Sequence, residues 1–301
     1  MSIQEININF DAFLKGDNDA VQKIDKICKS DDRKLCNVLY EKLMIYKDNS
    51  YAQNGLGSIL FYYGHGTGPD HDEAFKWFKL SASQDNSYGQ YNFGDMYYYG
   101  FEPNASITRD YEEAFKWYKL SADQGHLRGQ FKLGHLYYLG HGTTQDYKEA
   151  FKWYKICADQ NYSYAQNSLG DMYRDGIGTT QDYTEAFKWL SLSADQNNSC
   201  GQNKLGDMYY NGLGTTQDYK KAFKWYKLSA DQDNNFGISN LVKFLSDKTN
   251  ISFLLTNLIS KVEELEKENE KVNKINEHLK LYPGTDYQEA MNDFNLLSMS
   301  T

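Results

Sequence analysis

Side chains able to do acid, base, nucleophilic or metal chemistry are sparse in this 301-residue chain. His65 and His141 hold the same place in a recurring turn, and His71 follows His65 by six positions. No Cys or carboxylate set with metal-ligand spacing accompanies them, so solvent-facing turn histidines are expected, not a metal centre. Glu and Lys recur along helical faces as solvated charge, not as acid and base pairs, and the phosphate-loop pattern G-x-x-x-x-G-K-S/T does not occur. Four cysteines are too few for a disulfide scaffold. These residues offer no catalytic group, no metal and no cofactor. Tyrosine, at 26 residues, is the abundant functional side chain, and its abundance is periodic.

Charge and hydropathy narrow the partners. A formal charge of -9 repels a phosphate backbone, and no Lys/Arg cluster stands clear of nearby acids, so nucleic acid is excluded as a partner. The longest apolar stretch, residues 251–260, is half the length of a bilayer span, and the first residues lack a basic region followed by an apolar core. A soluble cytoplasmic protein without a membrane segment is expected.

The elements that position the tyrosines follow from a repeat. Trp77, Trp117, Trp153, Trp189 and Trp225 are spaced by 40, 36, 36 and 36 residues, each inside the phrase A-F-K-W. Gly57, Gly94, Gly134, Gly170 and Gly206 run in step, each after Leu or Phe, and the last four have Tyr three positions on. One unit, residues 127–161, splits into two helical phrases around a Gly-rich turn. In the first, Gly129, Leu133 and Tyr137 share a side, and Gly134 accepts a helix-propensity cost of roughly 1 kcal/mol, which implies close approach of a neighbour. Gly140 and Gly142 stop that helix. Asp146 with Glu149 three positions later starts the second, whose apolar face is expected to carry Ala150, Phe151, Trp153, Tyr154, Ile156 and Ala158. No segment alternates with period 2. The five tryptophans are expected to be the buried anchors of a continuous core, since no single unit can bury its own apolar face.

The phrase A/G-Q-x-x-L-G-x-M/L-Y, then G-x-G, then D-Y-x-E-A-F-K-W-Y-K-L-S-A-D-Q, resembles the Sel1-like repeat, a relative of the tetratricopeptide unit, and recurs five times between residues 50 and 234. The Asn, Asp, Tyr and Lys-rich wording looks most like Sel1-like proteins of amoeba-infecting giant viruses. Departures are local: one extra residue between Gly57 and Gly66, and no G-x-G after Gly100. The resemblance implies an all-α, α/α superhelical solenoid. Expected domains are an N-terminal helical cap (1–48), five full repeats and a partial sixth (49–249), a long helix (250–282) and a short terminal helix (283–301). That last helix, with Asp286, Tyr287, Glu289 and Ala290, echoes the start of a second repeat helix.

In the cap, Phe10, Phe13 and Leu14 suggest a first helix, and a helix pair breaks near Ser30 and Asp31. Cys28 and Cys36, eight apart, resemble the bridged cysteines of cysteine-rich Sel1 proteins; two small core thiols are the alternative. Downstream, Leu255, Leu258, Val262, Leu265, Asn269, Val272, Asn276 and Leu279 alternate by three and four, a heptad seam for a homodimer through 255–279. A helix folded back on the last repeat is the alternative, favoured in its first turns by Ile251, Phe253, Leu254 and Ile259.

If the tetratricopeptide likeness carries over, first helices line a concave groove. Its inward residues are then Tyr91, Asp95, Tyr98 and Tyr99; Phe131, His135 and Tyr138; Asn167, Asp171 and Arg174; Asn203, Asp207 and Tyr210. Rings with amides and carboxylates suit an extended peptide, and the acids favour a basic one. The family implies an adaptor for a protein partner. Hydrolysis of β-lactam-type substrates, described for cysteine-rich relatives, and structural self-assembly are the alternatives.

Overall fold

The structure, a computed structural model, describes residues 10–29, 32–64, 68–101 and 107–281. A helical stretch at 10–14 leads to α1 (Asn18–Cys28) and α2 (Arg33–Ile45). Five helix pairs follow: α3 (Ser50–Tyr62) with α4 (His71–Ser83), α5 (Ser87–Tyr99) with α6 (Tyr111–Asp123), α7 (Leu127–Leu139) with α8 (Tyr147–Asp159), α9 (Ser163–Asp175) with α10 (Tyr183–Asp195), and α11 (Ser199–Asn211) with α12 (Tyr219–Ala230). A lone first-type helix, α13 (Asn235–Ser246), precedes the long α14 (Lys248–Leu281). No strand occurs among the described residues.

The helix ends are written in the sequence. Asp70, Asp110, Asp146, Asp182 and Asp218 cap the five second helices, each carboxylate accepting a backbone N–H of the first turn. The second Gly of each G-x-G turn has a distinct task. A Cβ on Gly142, Gly178 or Gly214 would lie 2.0, 2.2 or 2.0 Å from the carbonyl oxygen of Tyr111, Tyr147 or Tyr183, the opening residue of the preceding second helix. Backbone thus meets backbone where any side chain would intervene.

Every helix packs on the next, within a pair and between pairs. Successive first helices also touch (α3 with α5, α5 with α7, α9 with α11, α11 with α13), whereas no comparable contact joins successive second helices among the described residues. That asymmetry curves the array and puts the first helices on its inner side. The all-α superhelical solenoid read from the repeat is therefore the fold observed.

The core differs in one respect from the expectation. Of the five tryptophans only Trp189 is buried; Trp77, Trp117, Trp153 and Trp225 are half-buried. The deep anchor is the next residue: Phe78, Tyr118, Tyr154, Leu190 and Tyr226 are all at most 4% exposed. The repeated Gly of the first helix exists to admit it, since a Cβ on Gly57, Gly94, Gly170 or Gly206 would come within 2.6 to 2.9 Å of that side chain. A 3.6-residue period centres the buried arc of α8 on Ala150, Tyr154 and Cys157, which leaves Trp153 at its edge and Ile156 outside it, 41% exposed. The indoles instead cover the junctions, as Trp117 does edge-on to Phe93 at 5.0 Å. The two sequence landmarks also meet in space: Phe75, Phe115, Phe151 and Phe187 stand edge-on to Tyr97, Tyr137, Tyr173 and Tyr209 at 5.3 to 5.6 Å.

Cys28 and Cys36 are buried thiols with no disulfide between them. Each instead points at a backbone carbonyl, Cys28 Sγ at Gly55 and Cys36 Sγ at Ile27. Helix α14 touches α13 and α12. Its Leu255, Leu258, Ile259, Val262, Leu265 and Val272 are exposed, so Ile259 does not dock on the last repeat. The side chains of Asn276, Leu279, Ile251, Phe253 and Leu254, and residues 283–301 with their echo of a repeat helix, lie outside what the structure describes.

Candidate ligand-binding groove

Counting from the first residue of each first helix shows what faces inward. Positions 3, 7 and 10 are buried: Gly129, Leu133 and Leu136 in α7, for example. About 100° round the helix from these run position 2 (Tyr51, Tyr88, Arg128, Tyr164, Cys200), position 6 (Gly55, Asn92, Lys132, Ser168, Lys204), position 9 (Ser58, Asp95, His135, Asp171, Asp207) and position 13 (Tyr62, Tyr99, Leu139, Asp175, Asn211). These offsets of four, three and four form one stripe along a helix. Side chains on it bridge neighbouring repeats. Asn92 Nδ2 donates to Asn54 Oδ1 at 2.7 Å, Lys132 Nζ to the Tyr99 hydroxyl at 2.9 Å, and Lys204 to the Asp171 carboxylate.

The residues expected in the groove divide three ways. Position 9 lies on the inner stripe, but its acids already have partners. Asp95 accepts from the Tyr118 hydroxyl and faces Lys132 at 3.7 Å. Asp171 pairs with Arg174 at 3.1 Å and with Lys204. Asp207 accepts from Tyr226 at 2.7 Å and Asn240 at 3.1 Å, and burial raises its carboxyl pKa despite the hydrogen bond from Tyr226. His135 faces the Tyr154 hydroxyl at 3.4 Å, with its pKa lowered by burial. The charge expected to draw a basic ligand is thus met from within.

Position 5 lies between repeats, not in an open groove. Tyr91 packs on His126 and Tyr118, Phe131 on Tyr154 and Tyr162, and Asn203 is buried beneath Asn240. Asn167 is half-buried. Position 12 leans on the second helix of its own pair: Tyr98 on Tyr111, Tyr138 on Tyr147 and Tyr210 on Tyr219, at 5.2 to 5.4 Å. Arg174 there forks onto Asp175 with two 2.8 Å hydrogen bonds. Tyr99, at position 13, is 49% exposed on the inner side.

Sequence reasoning passed over position 2, which holds open inner residues such as Tyr164 at 59% exposure, and the half-buried position 6. The stripe at 2, 6, 9 and 13, which runs one residue before the buried Gly, Leu and Met, was the signal that could have found them. A second feature left no local signal. Helix α1 lies across the beginnings of α3, α5 and α7 and encloses a cleft of about 1030 Å³ with them. Asn18 accepts there from the Tyr88 hydroxyl, and Asp25 lies 3.8 Å from Arg128. His126 caps α7, its Nδ1 accepting the Gly129 N–H at 3.2 Å. Burial, with Arg128 beside it, pushes its pKa down to about 3.

Comparison with known proteins explains the repeat. The Sel1 repeat family matches residues 50–86, 87–126, 127–162, 163–198 and 201–234, more than half of the chain. The chain belongs to the Sel1 repeat family. A Sel1 repeat protein from Oxalobacter formigenes aligns at 31% identity and a TM-score of 0.61, over 65% of this chain and 76% of that one. The structure of c5321, a protective antigen of uropathogenic Escherichia coli strains displaying an SLR fold, aligns at 32% identity and a TM-score of 0.61. That alignment spans 81% of this Sel1 repeat chain and 52% of c5321. No curated protein matches it in sequence. Among the described residues of this Sel1 repeat chain, no three His, Cys, Asp or Glu side chains group to hold a metal ion, and no helix is long and apolar enough to cross a membrane.

Proposed function

We propose that this chain is a non-enzymatic adaptor that holds an extended segment of a partner protein along the inner stripe of its first helices. The Sel1 repeat fold is in general a scaffold for protein–protein interaction. One observation carries the narrower reading. The second helices repeat A-F-K-W almost unchanged and do the stacking, while inner positions 2, 6 and 13 change from repeat to repeat. Stacking demands sameness; recognition uses difference. Exposed rings at Tyr99 and Tyr164, with the half-buried ring of Tyr88 beside them, supply rigid contact area, and the neighbouring amides can serve a partner's backbone. The groove's Asp, Tyr and His side chains are hydrogen-bonded to one another, which favours a structural role for them over acid–base work. The test is affinity capture with wild type beside Tyr98→Ala with Tyr138→Ala, and beside Tyr88→Ala with Tyr99→Ala. A partner kept by the first pair and lost with the second supports the inner stripe. Identical captures by all three would contradict it.

The long helix adds a second element to the proposal. Its exposed Leu255, Leu258, Val262, Leu265 and Val272 form one heptad seam, and pairing with a second copy would cover it. An adaptor dimerised this way presents two grooves to one assembly.

A further inference from the structure

The cleft beneath α1 holds a cation that no close carboxylate answers. Lys132 is engaged by Asp95 and the Tyr99 hydroxyl, Lys204 by Asp171, and Arg174 by Asp171 and Asp175. Arg128 is not so engaged. Among the described residues its guanidinium makes no hydrogen bond and has one ion-pair neighbour, Asp25, at 3.8 Å. Asp25 is itself committed to Lys29, at 2.7 Å. A guanidinium carries five N–H donors in a planar fork that matches a carboxylate, and here that fork lines the cleft, its side chain 50% exposed, with no protein hydrogen-bond partner among the described residues.

The surroundings favour the same ligand. Lys26 and Lys29 line the cleft with Arg128, against the single carboxylate of Asp25. The chain as a whole carries -9, so this is a positive spot on an acidic molecule. His126, on the cleft wall, adds no charge at neutral pH. Tyr88 precedes Arg128 along position 2 and Tyr164 follows it, giving aromatic ground to residues on either side of an acid. At about 1030 Å³ the cleft is at the upper end of ligand-pocket sizes, roughly 300–1,000 Å³.

The geometry points to an acidic anchor: the partner segment carries an Asp or Glu side chain that seats on Arg128, with Asp25 as a weak resident competitor. This rests on the proposed groove and names the partner's chemistry within it. Removing Arg128 should weaken such a ligand and removing Asp25 should tighten it. A merely structural role for either residue would not give opposite signs.

A display library of random linear dodecapeptides, selected on the full chain, supplies the probe. Winners are then measured by fluorescence polarisation as amidated peptides. Enrichment of Asp or Glu is expected. Arg128→Gln should weaken these peptides by about 10- to 100-fold, the usual range for a charge-assisted hydrogen bond, with partial recovery in Arg128→Lys. Asp25→Asn should tighten them by about 2- to 5-fold at low salt. Winners without an acid, winners rich in Lys or Arg, or winners indifferent to Arg128→Gln would overturn the acidic anchor and leave the groove standing. Winners that bind only with a free C-terminus would overturn the side-chain source in favour of a terminal carboxylate. No winner at all would overturn the groove reading, and this inference with it. Should Arg128→Gln lower the melting temperature, the sign of the Asp25→Asn effect decides.

Discussion

Repeat-to-repeat differences make His126 a built-in acid sensor of stability. The other first helices of the array are capped by Asn49, Asn86, Asn198 and Asn234, or in α9 by no side chain at all, but α7 uses His126. Its Nδ1 must stay unprotonated to accept the Gly129 N–H, and it lies 3.1 Å from the Ser121 hydroxyl. The rings of Tyr88 and Tyr91 pack on it at 4.6 and 5.1 Å, and Arg128 is two residues away. Burial first, then the Arg128 charge, hold its pKa down to about 3. An unfolded histidine titrates near 6.5. Above that pH neither state binds the proton and stability is unaffected. As pH falls from about 6.5 towards 3 the unfolded chain takes up a proton that the native chain refuses, and stability is lost. At about 1.36 kcal/mol per pH unit, this costs about 2 kcal/mol at pH 5. His126→Asn restores the cap used elsewhere and removes the titration. Urea denaturation at pH 7.5 and pH 5.0 should show the variant within about 0.5 kcal/mol of wild type at the higher pH, since Asn is among the best caps, and about 2 kcal/mol more stable at the lower. Equal pH dependence in the two proteins would refute the reasoning.

Three further outcomes follow from the packing. Tyr118→Ala should cost about 3–5 kcal/mol, as for a fully buried aromatic, and half-buried Trp117→Ala should cost distinctly less; the reverse order by chemical denaturation would restore the indole as anchor. Gly206→Ala puts a Cβ 2.7 Å from the Tyr226 ring, so overpacking of roughly 1–3 kcal/mol should outweigh the roughly 1 kcal/mol gain in helix propensity, and a stabilised variant would contradict the close approach. Sedimentation equilibrium should give a concentration-dependent dimer that Leu258→Glu with Leu265→Glu abolishes, whereas a wild-type monomer at all concentrations would remove the paired long helices from the account.

The fold was legible because its constraints are local and repeated. Asp146 before Tyr147 and Gly134 after Leu133 each state a helix start or a close contact within a few residues, and five copies state it again. The error over the tryptophans has a geometric cause. Trp is the rarer and larger side chain, but a one-residue step turns a helix by about 100°, and the phase favours Tyr154 over Trp153. The candidate groove was less legible. Choosing positions 5, 9 and 12 kept the helical spacing but rotated the stripe, so Tyr91 and Phe131 landed between repeats while Tyr88 and Arg128 were missed. The cleft had no sequence signal because it depends on where α1 comes to rest, a contact between residues such as Asp25 and Arg128, about a hundred positions apart. Charge counting likewise showed Asp95, Asp171 and Asp207 but not the Tyr118, Lys204 and Tyr226 that answer them.

The claim that a partner lies on the inner stripe of the first helices is tested most directly by site-specific photocrosslinking. A benzophenone side chain is placed singly at inner positions 88, 99 and 168 or outer positions 80, 120 and 192, and irradiated with the partner that wild type captures. Crosslinks from the inner set alone are the result expected. Crosslinks from the outer leucines, with the inner set silent, would contradict the account.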